Sequence, residues 1–152
     1  VAEISTDEKT LVIRRSVNAS PERVFDMWTQ PERIRQWMCP PECAIESLEA
    51  DVREGGSYRM GMRQPNGEVW NVRGSYREVR RPERIVFTWA WEEDDPKDQI
   101  ETVISVELTP AGNATDLVFT QTGFATVESR DGHEEGWNGA IDRLIPALQA
   151  PG

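Results

Sequence analysis

The sequence predicts an α+β domain in which a curved antiparallel sheet wraps a long C-terminal helix. Three observations carry this expectation. Residues 44–121 alternate apolar and polar side chains with the period of a strand. After Phe124 the period changes to that of a helix, with Trp137, Ile141, Leu144, Ile145 and Leu148 on one stripe. Two short proline-initiated helices follow the first strand.

Taken in order, residues 1–10 carry acids and little apolar character and are expected to be a flexible N-terminal segment ahead of a single domain over residues 11–150. "LVIRRSV" is rich in β-branched residues and reads as a strand. In "SPERVFDMW", Ser20 suits an N-cap and Pro21 the first helical position, while Val24, Phe25, Met27 and Trp28 form an apolar stripe. "QPERIRQW" repeats the pattern and buries Ile34 and Trp37. "RPERI" at residues 81–85 opens the same way but runs into strand alternation, so no repeat architecture is expected.

The meander itself can be followed residue by residue. "SYRMGMR" sets Tyr58, Met60 and Met62 against Arg59 and Arg63, and Asn66-Gly67 supplies a hairpin turn. "VWNVRGSYREV" returns with Trp70, Val72, Gly74 and Tyr76 on one face. Ile85, Phe87, Trp89 and Trp91 align next, then Thr102, Ile104, Val106 and Leu108, then Leu117 and Phe119. The connections "EEDDPKDQ" and "TPAGNAT" have turn composition. Thr126 or Asp131 is expected to cap the last helix, and Pro146 to bend its final turns.

One large apolar sheet face has one matching partner, the stripe of the last helix, so the sheet should wrap that helix. Strongly curved sheets leave concavities where small ligands bind. Whether the six tryptophans line such a space or fill it is open at this level. Plain core is the commoner role for a stripe such as Met60, Met62, Trp70, Trp89 and Trp91.

The formal charge of −10 opposes binding to nucleic acid or anionic membranes. It is also uneven: residues 53–84 hold eight arginines against four acids, whereas residues 92–152 hold thirteen acids against three lysines and arginines. Solvated strand faces explain that asymmetry more simply than a docking surface does. No apolar run approaches the roughly 20 residues of a membrane span, and a cytoplasmic location is expected.

Cys39 and Cys43 lack the further ligands of a closed zinc site. Ordinary reduced thiols in a helix-to-strand loop are the first expectation, ahead of a redox switch and of contact with a metal or ligand. His133, beside Glu134 and Glu135, is expected to be exposed or capping and not catalytic. The acidic run Glu92, Glu93, Asp94, Asp95 and Asp98 lacks the spacing of a calcium loop and reads as a solvated turn.

Five stretches in order, "SPERVFDMWTQPERIRQWMCP", "DVREGGSYRM", "PNGEVWNVRGSYREV", "PERIVFTWAW" and "HEEGWNGAIDRL", resemble the START-like, or SRPBCC, helix-grip superfamily over residues 11–148. The similarity is to its branch related to the activator of the heat-shock-protein ATPase. The chain differs where that branch often has Trp-Trp-Gly-Pro and it has Trp37-Met38-Cys39-Pro40. The resemblance implies a helix-grip fold with an elongated apolar cavity holding a lipid, hormone or polyketide-like molecule. Some members cyclise such molecules and a eukaryotic relative stimulates a chaperone ATPase.

Candidate ligand-binding residues are Phe25, Trp28, Trp37, Tyr58, Met60, Met62, Trp70, Val72, Tyr76, Phe87, Trp89, Trp91, Ile104, Phe119, Trp137 and Ile141. Tyr58, Tyr76 or arginines are expected near the mouth. No cofactor, metal or catalytic residue is expected, although a cyclase-like reading would use Tyr76 and Glu78 as acid or base. A protein-interaction reading, with a chaperone as partner, would use the outward Arg59, Arg63, Arg73 and Arg77. The expected state is a monomer or weak dimer.

Overall fold

The computed structural model describes residues 9–92 and 100–149. The acids at positions 93–95 and 98, and residues 1–8 of the N-terminal segment, lie outside the described residues. The chain folds as β1 (Leu11–Val17), α1 (Pro21–Thr29), α2 (Pro31–Trp37), β2 (Ala44–Ala50), β3 (Ser57–Arg63), β4 (Val69–Arg80), β5 (Arg84–Trp91), β6 (Thr102–Ala111), β7 (Ala114–Thr122) and α3 (Val127–Gln149). The strands form one seven-stranded sheet in the order β1-β7-β6-β5-β4-β3-β2, each described pairing antiparallel. This is the α+β helix-grip architecture.

Local chemistry places the short helices. Ser20 accepts a hydrogen bond from the Arg23 amide at 3.3 Å, and Pro21 occupies the first turn of α1. Gln30 ends α1 and begins α2, where Pro31 again needs no amide partner. The Trp37 indole then donates to the Met27 carbonyl at 2.8 Å and ties the two helices together. Thr126 is the cap of α3, accepting from the Ser129 amide at 3.0 Å. The helix therefore starts earlier than Asp131 would allow.

The β6–β7 hairpin is tighter than its composition suggests. Pairing continues to Ala111↔Ala114, so only Gly112 and Asn113 turn, with Gly112 at φ 65°.

The apolar sheet face closes on α3 as expected. Trp137 is 5% exposed and Ile141 and Leu144 are fully buried. Trp137 packs against Phe119 at 4.7 Å, Trp89 at 5.0 Å and Trp28 at 6.0 Å between ring centroids, and Trp28 meets Trp37 edge-on at 4.5 Å. A buried polar chain runs through this cluster. The Trp137 indole donates to Gln121 Oε1 at 3.0 Å, Gln121 Nε2 to Thr102 Oγ1 at 2.8 Å, and Thr102 to the Trp89 carbonyl at 2.9 Å. Each of these polar groups is thus satisfied without water.

The β4–β5 pairing is interrupted at Gly74, between Arg73↔Ala90 and Tyr76↔Phe87. A Cβ there would stand 2.0 Å from the Thr88 carbonyl oxygen and 2.7 Å from a Tyr58 ring carbon. Tyr58, opposite Gly74 on β3, lies across the bare glycine and donates its hydroxyl to the Thr88 carbonyl at 2.5 Å. The Ser75 amide donates instead to Thr88 Oγ1 at 2.9 Å. A tyrosine hydroxyl and a threonine side chain thus replace ladder bonds between β4 and β5.

Candidate functional site

A cavity of about 350 Å³ lies between the first half of α3 and one end of the sheet. That is the lower part of the range of about 300–1,000 Å³ usual for small-molecule sites. Its sheet side is formed by Met62 near the end of β3, Gln64 just beyond that strand, Trp70 at the start of β4, and Trp89 and Trp91 at the end of β5. Its helix side is formed by Glu128, Ser129, Gly132, His133, Gly136, Trp137 and Ala140. The α2–β2 loop closes the third side with Met38, Cys39, Pro40 and Cys43.

The helix sequence explains why space remains. Gly132, Gly136 and Ala140 recur every four residues and so share one face of α3. Beside Trp137 and His133, which reach the sheet, positions 132 and 136 send no side chain into the space and position 140 only a methyl group. Gly139 serves the loop instead: a Cβ there would stand 2.9 Å from Pro41, so the Pro40-Pro41 segment seats directly on the helix backbone. Arg143 holds that segment from α3. Its Nη1 donates to the Cys39 carbonyl at 3.2 Å and the Pro40 carbonyl at 3.4 Å, and lies 3.1 Å from Cys39 Sγ.

Both thiols are free and buried. Cys39 reaches the Cys43 carbonyl at 3.4 Å, and Cys43 reaches Gln64 Oε1 at 3.3 Å. Burial pushes the Cys39 thiol up, against the opposing pull of Arg143, and burial does the same to Cys43 with help from Glu42. The cysteines are wall residues held as thiols and not as reactive thiolates.

His133 corrects the expectation of an exposed or capping residue. With α3 helical from Val127, His133 stands one turn before Trp137 on the inward side and is half-buried. Its Nδ1 lies 2.7 Å from the Ser129 carbonyl and so must carry the proton. Its Nε2 then accepts from the Trp91 indole at 2.9 Å. Burial lowers its pKa, with the Ser129 bond opposing, so the neutral ring is favoured. Phe124 packs on it at 4.8 Å. Trp89, Trp91, Ser129 and His133 also line a smaller space of about 120 Å³ with Ile100, Thr102, Phe124 and Ala125, so the Trp91–His133 pair stands between two adjoining cavities.

Of the sequence-derived candidates, Met62, Trp70, Trp89, Trp91 and Trp137 come together on the cavity wall. Phe25, Trp28, Trp37, Met60, Val72, Phe87, Ile104, Phe119 and Ile141 stand in the packed core. Trp70 is 52% exposed, at the cavity's outer lip. Tyr58 and Tyr76 are buried and do not stand at the mouth: they pack on each other at 5.5 Å and on Phe87. Burial raises the pKa of both.

Glu78, the other acid–base candidate, is paired with Arg80 at 2.8 Å and Arg84 at 3.2 Å and is not part of the cavity wall. On the outer face Arg59 pairs with Glu92 at 2.7 Å, Arg63 with Glu46 at 3.0 Å and Arg77 with Glu101 at 3.6 Å. No cluster of three potential metal ligands is found among the described residues, and no described helix is long and apolar enough to cross a membrane.

Residues 18–149 match the family described as Activator of Hsp90 ATPase homolog 1-like protein. Among solved structures, a Chromobacterium violaceum protein is 26% identical with a TM-score of 0.86, over 94% of this chain and 99% of that one. A Rhizobium loti protein is 28% identical with a TM-score of 0.77, over 91% and 95% of the two chains. The AHSA1 protein of Silicibacter pomeroyi is 24% identical with a TM-score of 0.83, over 92% and 97%, and shares the fold. No curated protein matches the chain.

Proposed function

From a chain that belongs to the Activator of Hsp90 ATPase homolog 1-like family, and whose helix leaves an apolar space against the sheet, we propose a binding protein for a small hydrophobic molecule. The observation that carries this reading is the tryptophan-lined cavity opened by Gly132, Gly136 and Ala140. An occupant of one or two rings would lie among Trp89, Trp137 and Met62, with Trp70 and Trp91 at its outer end. Binding would draw its energy from apolar surface removed from water, at about 25 cal/mol per Å². His133 offers no free nitrogen, because both are bonded within the wall, so it acts as a shaped surface and not as an acid or base.

We place this activity in the cytoplasm, where buried thiols such as Cys39 and Cys43 stay reduced. A chaperone-directed role draws less support from the geometry, since Arg59, Arg63 and Arg77 already face carboxylates. A cyclase-like activity draws less still, since Glu78 is ion-paired elsewhere. The test is native mass spectrometry of the purified protein together with tryptophan fluorescence titrated with small fatty acids, neutral alkylbenzenes and alkylammonium ions. A retained apolar species, or a saturable spectral shift, is expected. A protein that carries nothing and shifts with none of them refutes the reading.

A further inference from the structure

The charge of the wall narrows the occupant, on the reading that the cavity is a ligand site. No lysine or arginine is among the described residues that form it. Arg143, the nearest candidate to supply a positive charge, spends its Nη1 on Cys39 and Pro40 behind the loop and is not a wall residue. His133 is fixed by its partners as the neutral Nδ1–H tautomer, and a proton on Nε2 would face the Trp91 N–H donor. A carboxylate carried into this space would meet no cationic side chain among the described wall residues and at most the unpaired Trp89 indole N–H, too little to offset the cost of removing its charge from water.

The opposite sign is well received. Four tryptophans, at 70, 89, 91 and 137, border one space. Aromatic faces carry negative quadrupole potential and attract cations, more so when water is excluded. Trp91 stands edge-on to both neighbours, at 6.1 Å from Trp70 and 5.5 Å from Trp89, so the rings present differently oriented surfaces around the outer end. Among the described wall residues the one with a formal charge is Glu128, exposed at the rim. The chain's charge of −10 adds a long-range attraction of the same sign.

We propose that the cavity selects an organic cation: a small aromatic or alkyl body with a substituted ammonium group, held among the tryptophan rings and answered by Glu128. Fatty acids and other carboxylates are then poor ligands despite the apolar wall.

Three probes of matched shape test this by tryptophan fluorescence: benzyltrimethylammonium, its neutral carbon isostere neopentylbenzene, and phenylacetate. The expected order is cation, neutral, anion, with the cation about tenfold tighter than the isostere. Raising salt should weaken the cation alone. Glu128→Gln should narrow the gap between cation and isostere severalfold, and Trp70→Ala, at an exposed position, should weaken the cation while circular dichroism stays unchanged. Saturable binding of neopentylbenzene or phenylacetate as tight as that of the cation overturns the charge inference and leaves the cavity reading standing. Absence of saturable binding by all three overturns both.

Discussion

If Gly136 is glycine for the sake of the cavity, replacing it should make the protein more stable and less able to bind. The position is in the interior of α3, where glycine costs about 0.8–1.0 kcal/mol relative to alanine. A Cβ at Gly136 would stand 3.7 Å from Pro40 Cγ, an ordinary contact, so no clash offsets the gain. Gly136→Ala should therefore stabilise by about 0.5–1 kcal/mol. For a chain of this size about 1 kcal/mol corresponds to roughly 2–4 °C in Tm. Gly136→Met goes further: its flexible, unbranched side chain adapts to irregular gaps and fills the space.

The assay pairs thermal unfolding with the fluorescence titration. Gly136→Ala should melt higher than wild type. Gly136→Met should melt no lower and bind at least tenfold more weakly. A Gly136→Ala variant that melts lower, or a Gly136→Met variant with undiminished affinity, would refute the argument that the missing side chain creates the site.

Other outcomes follow from the same geometry. Gln121→Leu strands the Trp137 indole in a buried place and removes the donor to Thr102, so it should cost about 1–3 kcal/mol in urea unfolding; a neutral result would show the polar chain contributes nothing. Gly74→Ala puts a carbon against the Thr88 carbonyl and should cost about 3 kcal/mol or more, read as a large drop in urea midpoint; wild-type stability would contradict the described close approach. His133 has a folded pKa below its unfolded value near 6.5, so its contribution is complete above that pH. It should decline as pH falls through 6.5 toward the folded value, at up to about 1.4 kcal/mol per pH unit, and level off below. His133→Phe should flatten that slope between pH 7.5 and 5, and a wild type that gains stability on acidification relative to the variant would reverse the sign.

The fold was legible because its signals are local and repeated. Alternation in "RIVFTWAW" and "TVISVEL" fixes which side chains face inward, and the spacing of Trp137, Ile141 and Leu144 fixes which side of α3 meets them. The site was half legible. Met62, Trp70, Trp89, Trp91 and Trp137 are large and apolar, but so are Trp28, Trp37 and Phe119, and periodicity does not distinguish a wall from a filled core.

What separates them is absence of side chain on the facing element. The spacing of Gly132, Gly136 and Ala140 was present in the sequence, and a search for small residues at intervals of four along the last helix would have found it. The same extension, one turn back from Trp137, places His133 inward. The Tyr58–Gly74–Thr88 arrangement depends on a hydroxyl meeting a carbonyl two strands away, which no local pattern encodes.

The loop between α2 and β2 gives the architecture a way to vary. It forms one side of the cavity, yet it rests on α3 through Gly139 and Arg143 and takes no part in the strand pairing. Substitutions at Met38, Cys39 or Pro40 would therefore reshape the chamber while leaving the β-scaffold and its closing helix in register. On the proposed reading of the cavity as a ligand site, a change of ligand has, in this short segment, a route that bypasses the constraints on folding.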